Sequence, residues 1–212
     1  MWHLTGESVS WTARPSTHAR HRESALFANL REDWHTYEHD LARQGLWVMT
    51  VYRFGRWRYT IGPRLLRLPF SFLYKVLKPV SEILTGIELP CEVVLGRRFR
   101  IDHFGGIVIS GDAVFGDDCV IRNGVTVGLR HTGHRGSPVI GNRVDIGAGA
   151  KVLGPIHIGD DVAIGANAVV LTDVPPNSIA VGIPARILPR KSRPEPSLEA
   201  VSESRSPAEA VL

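Results

Sequence analysis

Asp102 and His103, followed by Phe104 and the pair Gly105-Gly106, are the residues of this chain best suited to acid–base chemistry. A neutral imidazole accepts a hydroxyl proton near neutral pH, and a neighbouring carboxylate can fix its tautomer. A second group, Arg130, His131, His134 and Arg135, is basic; it could supply a base, grip an anion, or be a set of surface side chains. His157 stands beside an aliphatic residue in a regular stretch and reads as structural or exposed. Asp117-Asp118 and Asp160-Asp161 offer paired carboxylates. Each pair follows a glycine at the same phase of a repeat, which points to turn chemistry instead.

That repeat positions the candidate groups. Aliphatic or aromatic residues recur every six positions at Ile109, Phe115, Ile121 and Val127, and again at Ile140, Ile146, Val152, Ile158, Ile164 and Val170. Glycine or a polar residue follows most of them, and a small or apolar residue lies two positions before each. Leu95 and Ile101 extend the series backwards to twelve hexads. A six-residue period fits neither a 3.6-residue helix nor an ordinary meander. It fits short strands that turn a corner each time, three to a triangular coil, which is the hexapeptide parallel β-helix. The expectation is a mainly β fold of about four coils, stacked about 4.8 Å apart. The series breaks twice, with a spacing of eight between Ile101 and Ile109 and of thirteen between Val127 and Ile140. Asp102-His103 lies in the first break and the basic loop in the second, so both could face one groove between neighbouring subunits.

Around the rod the chain divides into zones. Residues 1–24 and 191–212 are rich in Ser, Arg, Glu and Pro and read as disordered tails. Residues 25–85 read as a small α-helical N-terminal region, and 86–190 as the β-helix. Leu26, Leu30, Trp34, Tyr37 and Leu41 form one helical stripe with Gly45 as its stop. A second helix spans 46–59, and a third spans 65–84, limited or kinked by Pro69 and Pro79. The basic amphipathic stretch from Arg64 to Lys78 could rest on an anionic membrane, on the rod or on another subunit. No stretch is apolar enough for a signal peptide or a membrane span. The chain holds 25 Lys and Arg against 21 Asp and Glu, a net charge of +4 over 212 residues, which is no nucleic-acid footprint. Two cysteines, Cys91 and Cys119, make no disulfide framework and fit a reducing compartment, so the chain is expected to be cytoplasmic.

The run from Arg100 to Ile109, with Asp102-His103 at its centre, resembles the Asp-His signature of the bacterial serine O-acetyltransferases. Ile146-Gly147-Ala148-Gly149-Ala150-Lys151-Val152-Leu153-Gly154 is similar to that family's coil on the acetyl-CoA side. Val181-Gly182-Ile183-Pro184-Ala185-Arg186 is similar to the closing motif of hexapeptide acyltransferases. The resemblance implies a left-handed β-helix that forms a homotrimer or a higher assembly, with acetyl-CoA in the groove between subunits and no metal. It makes His103 the general base. The family's orienting carboxylate, fifteen residues upstream, falls on Glu88, and Asp102 would help hold the acceptor's amino group. Asp40 matches a helical-domain Asp that contacts the amino acid. Ala148 and Ala166 would meet the pantetheine arm, Gly128 would also bind acetyl-CoA, and Arg186, Arg190 and Lys191 would lie near the nucleotide phosphates.

The chain departs from the family pattern on the acceptor side. Ser137 stands before Pro138 where the family has a carboxylate-binding histidine, with His134 or Arg135 to compensate, and Leu129 replaces a glycine. The resemblance therefore implies an acetyl-CoA-dependent O-acetyltransferase acting on L-serine in cysteine biosynthesis. The alternative is an O-acetyltransferase of a sugar or polysaccharide precursor, with His131 as base. A zinc hydratase built from His103, His131 and His134, and a non-catalytic scaffold, are the remaining readings.

Overall fold

The computed structural model describes residues 26–131 and 136–190. Both proposed tails therefore lie outside the described residues, together with Lys191 and the loop positions His134 and Arg135.

The hexad series becomes a three-faced rod. Its first face carries β1 (Ile87–Glu88), β3 (Ile107–Ile109), β6 (Thr126–Gly128), β9 (Lys151–Leu153) and β12 (Val169–Val170), paired in that order and all parallel. The second carries β4 (Val114–Phe115), β7 (Val139–Ile140) and β10 (His157–Ile158), extended by single bridges to Val94 and Val174. The third stacks β2 (Arg100–Asp102), β5 (Val120–Arg122), β8 (Asp145–Ile146), β11 (Ala163–Ile164) and β13 (Ser178–Val181). It ends in an antiparallel edge strand, β14 (Arg186–Pro189).

Leu89, Val174 and Ala180 join the twelve hexad residues inside the rod, so each face is five rungs deep, one more than the four coils the spacing counted. The chain adds Leu89 one hexad ahead of Leu95, and behind the series Val174, after a single spacing of four, and Ala180 six further on. The residues two before each inward position are also buried: Ala113, Cys119, Val125, Val144, Ala150, Val162 and Ala168 are fully enclosed. Small residues there let two inward side chains per strand share a narrow bore.

Two corners turn by different chemistry. Between the second and third faces the left-handed positions are Arg98, Asp118, Arg143, Asp161 and Asn177, with φ between 52° and 60°. Their side chains repay that conformation by pairing along the stack, Arg98 with Asp118 and Arg143 with Asp161. These partners hold the Asp118 and Asp161 carboxyls below their usual range. The turn reading of both Asp pairs therefore holds. Between the third and first faces the left-handed positions are instead Gly106, Gly124, Gly149 and Asn167. At Gly149 a Cβ would run into the Asn167 side chain, and its φ of +72° suits glycine, so this position is kept small.

Three helices cap the first coil. The first, α1 (Leu26–Thr36), ends nine residues before Gly45, through left-handed Glu38 and His39. Gly45 is not its stop but belongs to the first turn of α2 (Gln44–Trp57). There a Cβ would meet the Ile101 carbonyl at 2.7 Å, so this glycine serves close approach of helix to rod. The third, α3 (Arg64–Thr85), runs unbroken through Pro69 and Pro79, both on its exposed side. It ends at Gly86 in the left-handed region, whose N–H donates to the Glu82 carbonyl at 2.7 Å. Its exposed face is apolar, from Leu65 and Leu68 through Phe72 and Val76 to Val80 and Ile83. No helix among the described residues is long and apolar enough to cross a membrane.

Three buried tyrosines fasten the helices to the rod. The Ile101 N–H donates to the Tyr37 hydroxyl at 2.9 Å, the Tyr52 hydroxyl donates to the Val93 carbonyl at 2.8 Å, and the Cys91 N–H donates to the Tyr74 hydroxyl at 3.2 Å. Between α1 and α2, Arg53 grips Asp33 with both arms of its fork, at 2.9 and 3.1 Å.

Candidate active site

The register of the third face assembles the site. Ile101, Ile121, Ile146, Ile164 and Ala180 stack inward in one column. Two residues beyond each lies the corner to the first face, which is therefore lined by His103, Asn123, Ala148, Ala166 and Gly182. Backbone bonds tie the corner together: Gly124 N–H to Gly105 O at 2.9 Å, Gly149 N–H to Asn123 O at 2.8 Å, and Asn167 N–H to Ala148 O at 2.8 Å. The candidate base and the small residues of the Gly-Ala coil thus share one edge. His103 sits at its N-terminal end. Arg186 is at the other, paired with Val181 beside Gly182.

His103 is exposed and takes φ +65°, a conformation uncommon outside glycine; Gly105 and Gly106 follow with φ of +97° and +66°. The two-residue expansion of the hexad thus becomes a wide turn that lifts the imidazole off the rod. A strained backbone at a break in a regular array is where binding and catalytic groups collect. Asp102, the last residue of β2, is half-buried and accepts a hydrogen bond from Arg100 Nη2 at 2.9 Å. Glu88 is exposed on the outward side of β1, on the face that begins at the His103 corner. Lys151, outward on the same face, donates to Thr126 Oγ1 at 3.0 Å.

Other candidates lie elsewhere. Asp40 is in the α1–α2 turn, where its carboxylate accepts the Ala42 N–H at 2.8 Å and stands 3.5 Å from Arg43. That turn follows Tyr37, whose hydroxyl accepts the Ile101 N–H of β2. Gly128 and His131 are at the opposite edge of the first face, where the loop leaves the rod. Arg190 is drawn to the far corner, its guanidinium donating to the Asp161 carbonyl at 3.0 Å, away from Ala148 and Ala166. His157 lies in a groove of about 720 Å³ along the second face with Asp173, and this groove contains neither Asp102 nor His103. Among the described residues no group of three or more His, Cys, Asp or Glu is placed to hold a metal ion.

The spacing did not single out two arginines. Arg122 lies across from Asp102 on the next rung and pairs with Asp145, and Arg100 shares the outward side of β2 with Asp102. Counting outward positions of successive hexads would have found them.

The family model for bacterial transferase hexapeptide (six repeats) matches residues 137–172. Over 153 residues the chain is 42% identical to a serine acetyltransferase of Mycobacterium tuberculosis, covering 72% of this chain and 63% of that protein's length. Over 132 residues it is 46% identical to one from Helicobacter pylori, covering 61% of this chain and 77% of the relative. Among solved structures, the serine acetyltransferase of Neisseria gonorrhoeae in complex with serine superposes with a TM-score of 0.64 at 29% identity, over 81% of this chain and 72% of that one. That of Brucella abortus in complex with coenzyme A gives 0.66 at 29%, over 78% and 68%. With a left-handed hexapeptide rod, an Asp-His turn at its first break and relatives alike over most of their length, the chain belongs to the serine acetyltransferase family.

Proposed function

We propose that the chain transfers the acetyl group of acetyl-CoA to the hydroxyl of L-serine, giving O-acetyl-L-serine and free CoA. The observation that carries this reading is the shared edge, with His103 at one end and the Ala148 and Ala166 turns along it. Family structures are described with serine and with coenzyme A bound, which supports both substrates.

In this mechanism His103 takes the serine hydroxyl proton as the oxygen attacks the thioester carbonyl. The tetrahedral intermediate collapses with loss of the CoA sulfur, which recovers the proton from the imidazolium. Glu88 orients the imidazole, and Asp102 attracts the ammonium group of the acceptor. The pantetheine arm follows the corner, where glycine and alanine let it approach the backbone, and Arg186 and Lys191 serve its phosphates. His131 stands at the other edge of the first face, and a homotrimer, in which a neighbouring subunit would complete the site, belongs to the same reading.

No acyl-enzyme is needed. Cys119 is fully enclosed, and burial pushes its thiol up to about 12, far from a nucleophile. A Cys119→Ala protein is expected to remain folded and to release CoA at the wild-type rate; loss of turnover in a folded variant would contradict direct transfer. The deciding experiment follows CoA thiol release from acetyl-CoA with L-serine and with a panel of sugars and nucleotide sugars. Saturable turnover with serine is expected, and turnover with sugars alone would reassign the acceptor.

A further inference from the structure

An amino-acid acceptor carries a carboxylate as well as an ammonium and a hydroxyl, so its site needs a fixed cation beside the group that holds the ammonium. Two guanidiniums flank Asp102. Arg100 lies two residues before it on the same outward side of β2 and holds one of its oxygens at 2.9 Å. The Arg100 Nε is buried and has no hydrogen-bond partner among the described residues. Arg122 faces Asp102 across the rung, with Asp102 and Arg122 in direct register. It is held from the other side by Asp145 through both arms of its fork, Nη1 donating to Oδ1 and Nη2 to Oδ2, the latter at 3.3 Å.

The exposures decide what can give way. The Arg100 and Arg122 side chains are 35% and 33% exposed, so neither fork is sealed off. Asp145 is 49% exposed, so its carboxylate can turn to water when an incoming carboxylate takes its place on the Arg122 fork. Asp102, at 22%, is the better shielded of the two acids and is fixed by Arg100. His103 at the corner, Asp102 one residue before it and Arg122 beside Asp102 on the next rung therefore present, in order, a base, an anion and a cation on adjoining positions. L-Serine presents a hydroxyl, an ammonium and a carboxylate on adjoining carbons.

We propose that Arg122 binds the carboxylate of the acceptor, with Arg100 as the positioning residue that holds Asp102 for the ammonium. The proposal rests on L-serine being the acceptor. It places acceptor recognition on the rod itself, where the loop carries Ser137 before Pro138.

The test uses the full chain and CoA release, with L-serine and L-serinamide as acceptors, in the wild type, Arg122→Ala and Arg122→Lys. Charge-assisted hydrogen bonds of this kind predict a rise of about 10- to 100-fold in the KM for L-serine in Arg122→Ala. kcat and the KM for acetyl-CoA should stay near wild type, as expected for loss of a binding contact. The preference for L-serine over its amide should disappear, and Arg122→Lys should restore part of it. An Arg122→Ala enzyme that keeps both its serine KM and its preference would overturn the assignment. A wild type that does not acetylate L-serine would overturn the function it rests on, and would show this before any variant is read.

Discussion

Replacing His103 by alanine is expected to lower the turnover of acetyl-CoA and L-serine by about 10²–10⁴-fold, the range for removal of a general base. Three observations make this effect large. The imidazole is the only ring on the edge formed by His103, Asn123, Ala148, Ala166 and Gly182. It stands, with φ of +65°, in the break of the hexad series, where no regular corner of the rod needs a histidine. It is also exposed, so its loss removes no packing and leaves stability nearly unchanged. Steady-state assays and thermal melts on the same protein separate the two effects. His131→Ala, made in parallel, is expected to keep most of the wild-type kcat. If that variant were inactive and His103→Ala active, the base would have to be moved to the loop.

Asp33→Ala should give the largest loss of stability, about 3–5 kcal/mol, because it strands a largely buried guanidinium. Asp33 is 0% exposed and Arg53 only 12%, and the pair joins α1 to α2 through two hydrogen bonds. Burial raises the Asp33 carboxyl above its usual range while the Arg53 fork pulls it back. Most of the loss comes from the charge left behind, so replacing both residues with apolar ones of similar volume should recover much of it. Urea titrations of Asp33→Ala and of the double variant test this. Equal losses in the two would mean that the pair itself supplies the stability.

The rod could be read from the sequence because each inward residue is followed by a turn that admits few residue types. Ile121, Ile146 and Ile164 announce both the strand and its face. The breaks were equally legible, since a lost period is visible without knowing the coil. Helix ends were harder. Gly45 looks like a terminator, but its role depends on the Ile101 carbonyl, more than fifty residues away in sequence. Asp33 and Arg53 lie twenty residues apart on two helices, and no local pattern pairs them. Arg100 and Arg122 escaped notice because surface arginines are common; only the register of β2 with β5 places them around Asp102. Asp40 was found by similarity, and the structure places it in a turn that also uses its carboxylate locally.

The edge from His103 to Gly182 is also a gauge. It crosses four inter-coil steps of about 4.8 Å, roughly 19 Å in all. Because every step is a backbone spacing, this length cannot adjust as a flexible cleft would. Under the proposed function, with His103 as base and Arg186 at the phosphates, the number of coils between them would measure the donor, admitting a thioester whose arm matches the span. A carrier of another length could dock its phosphates or deliver its acyl group to His103, but not both at once.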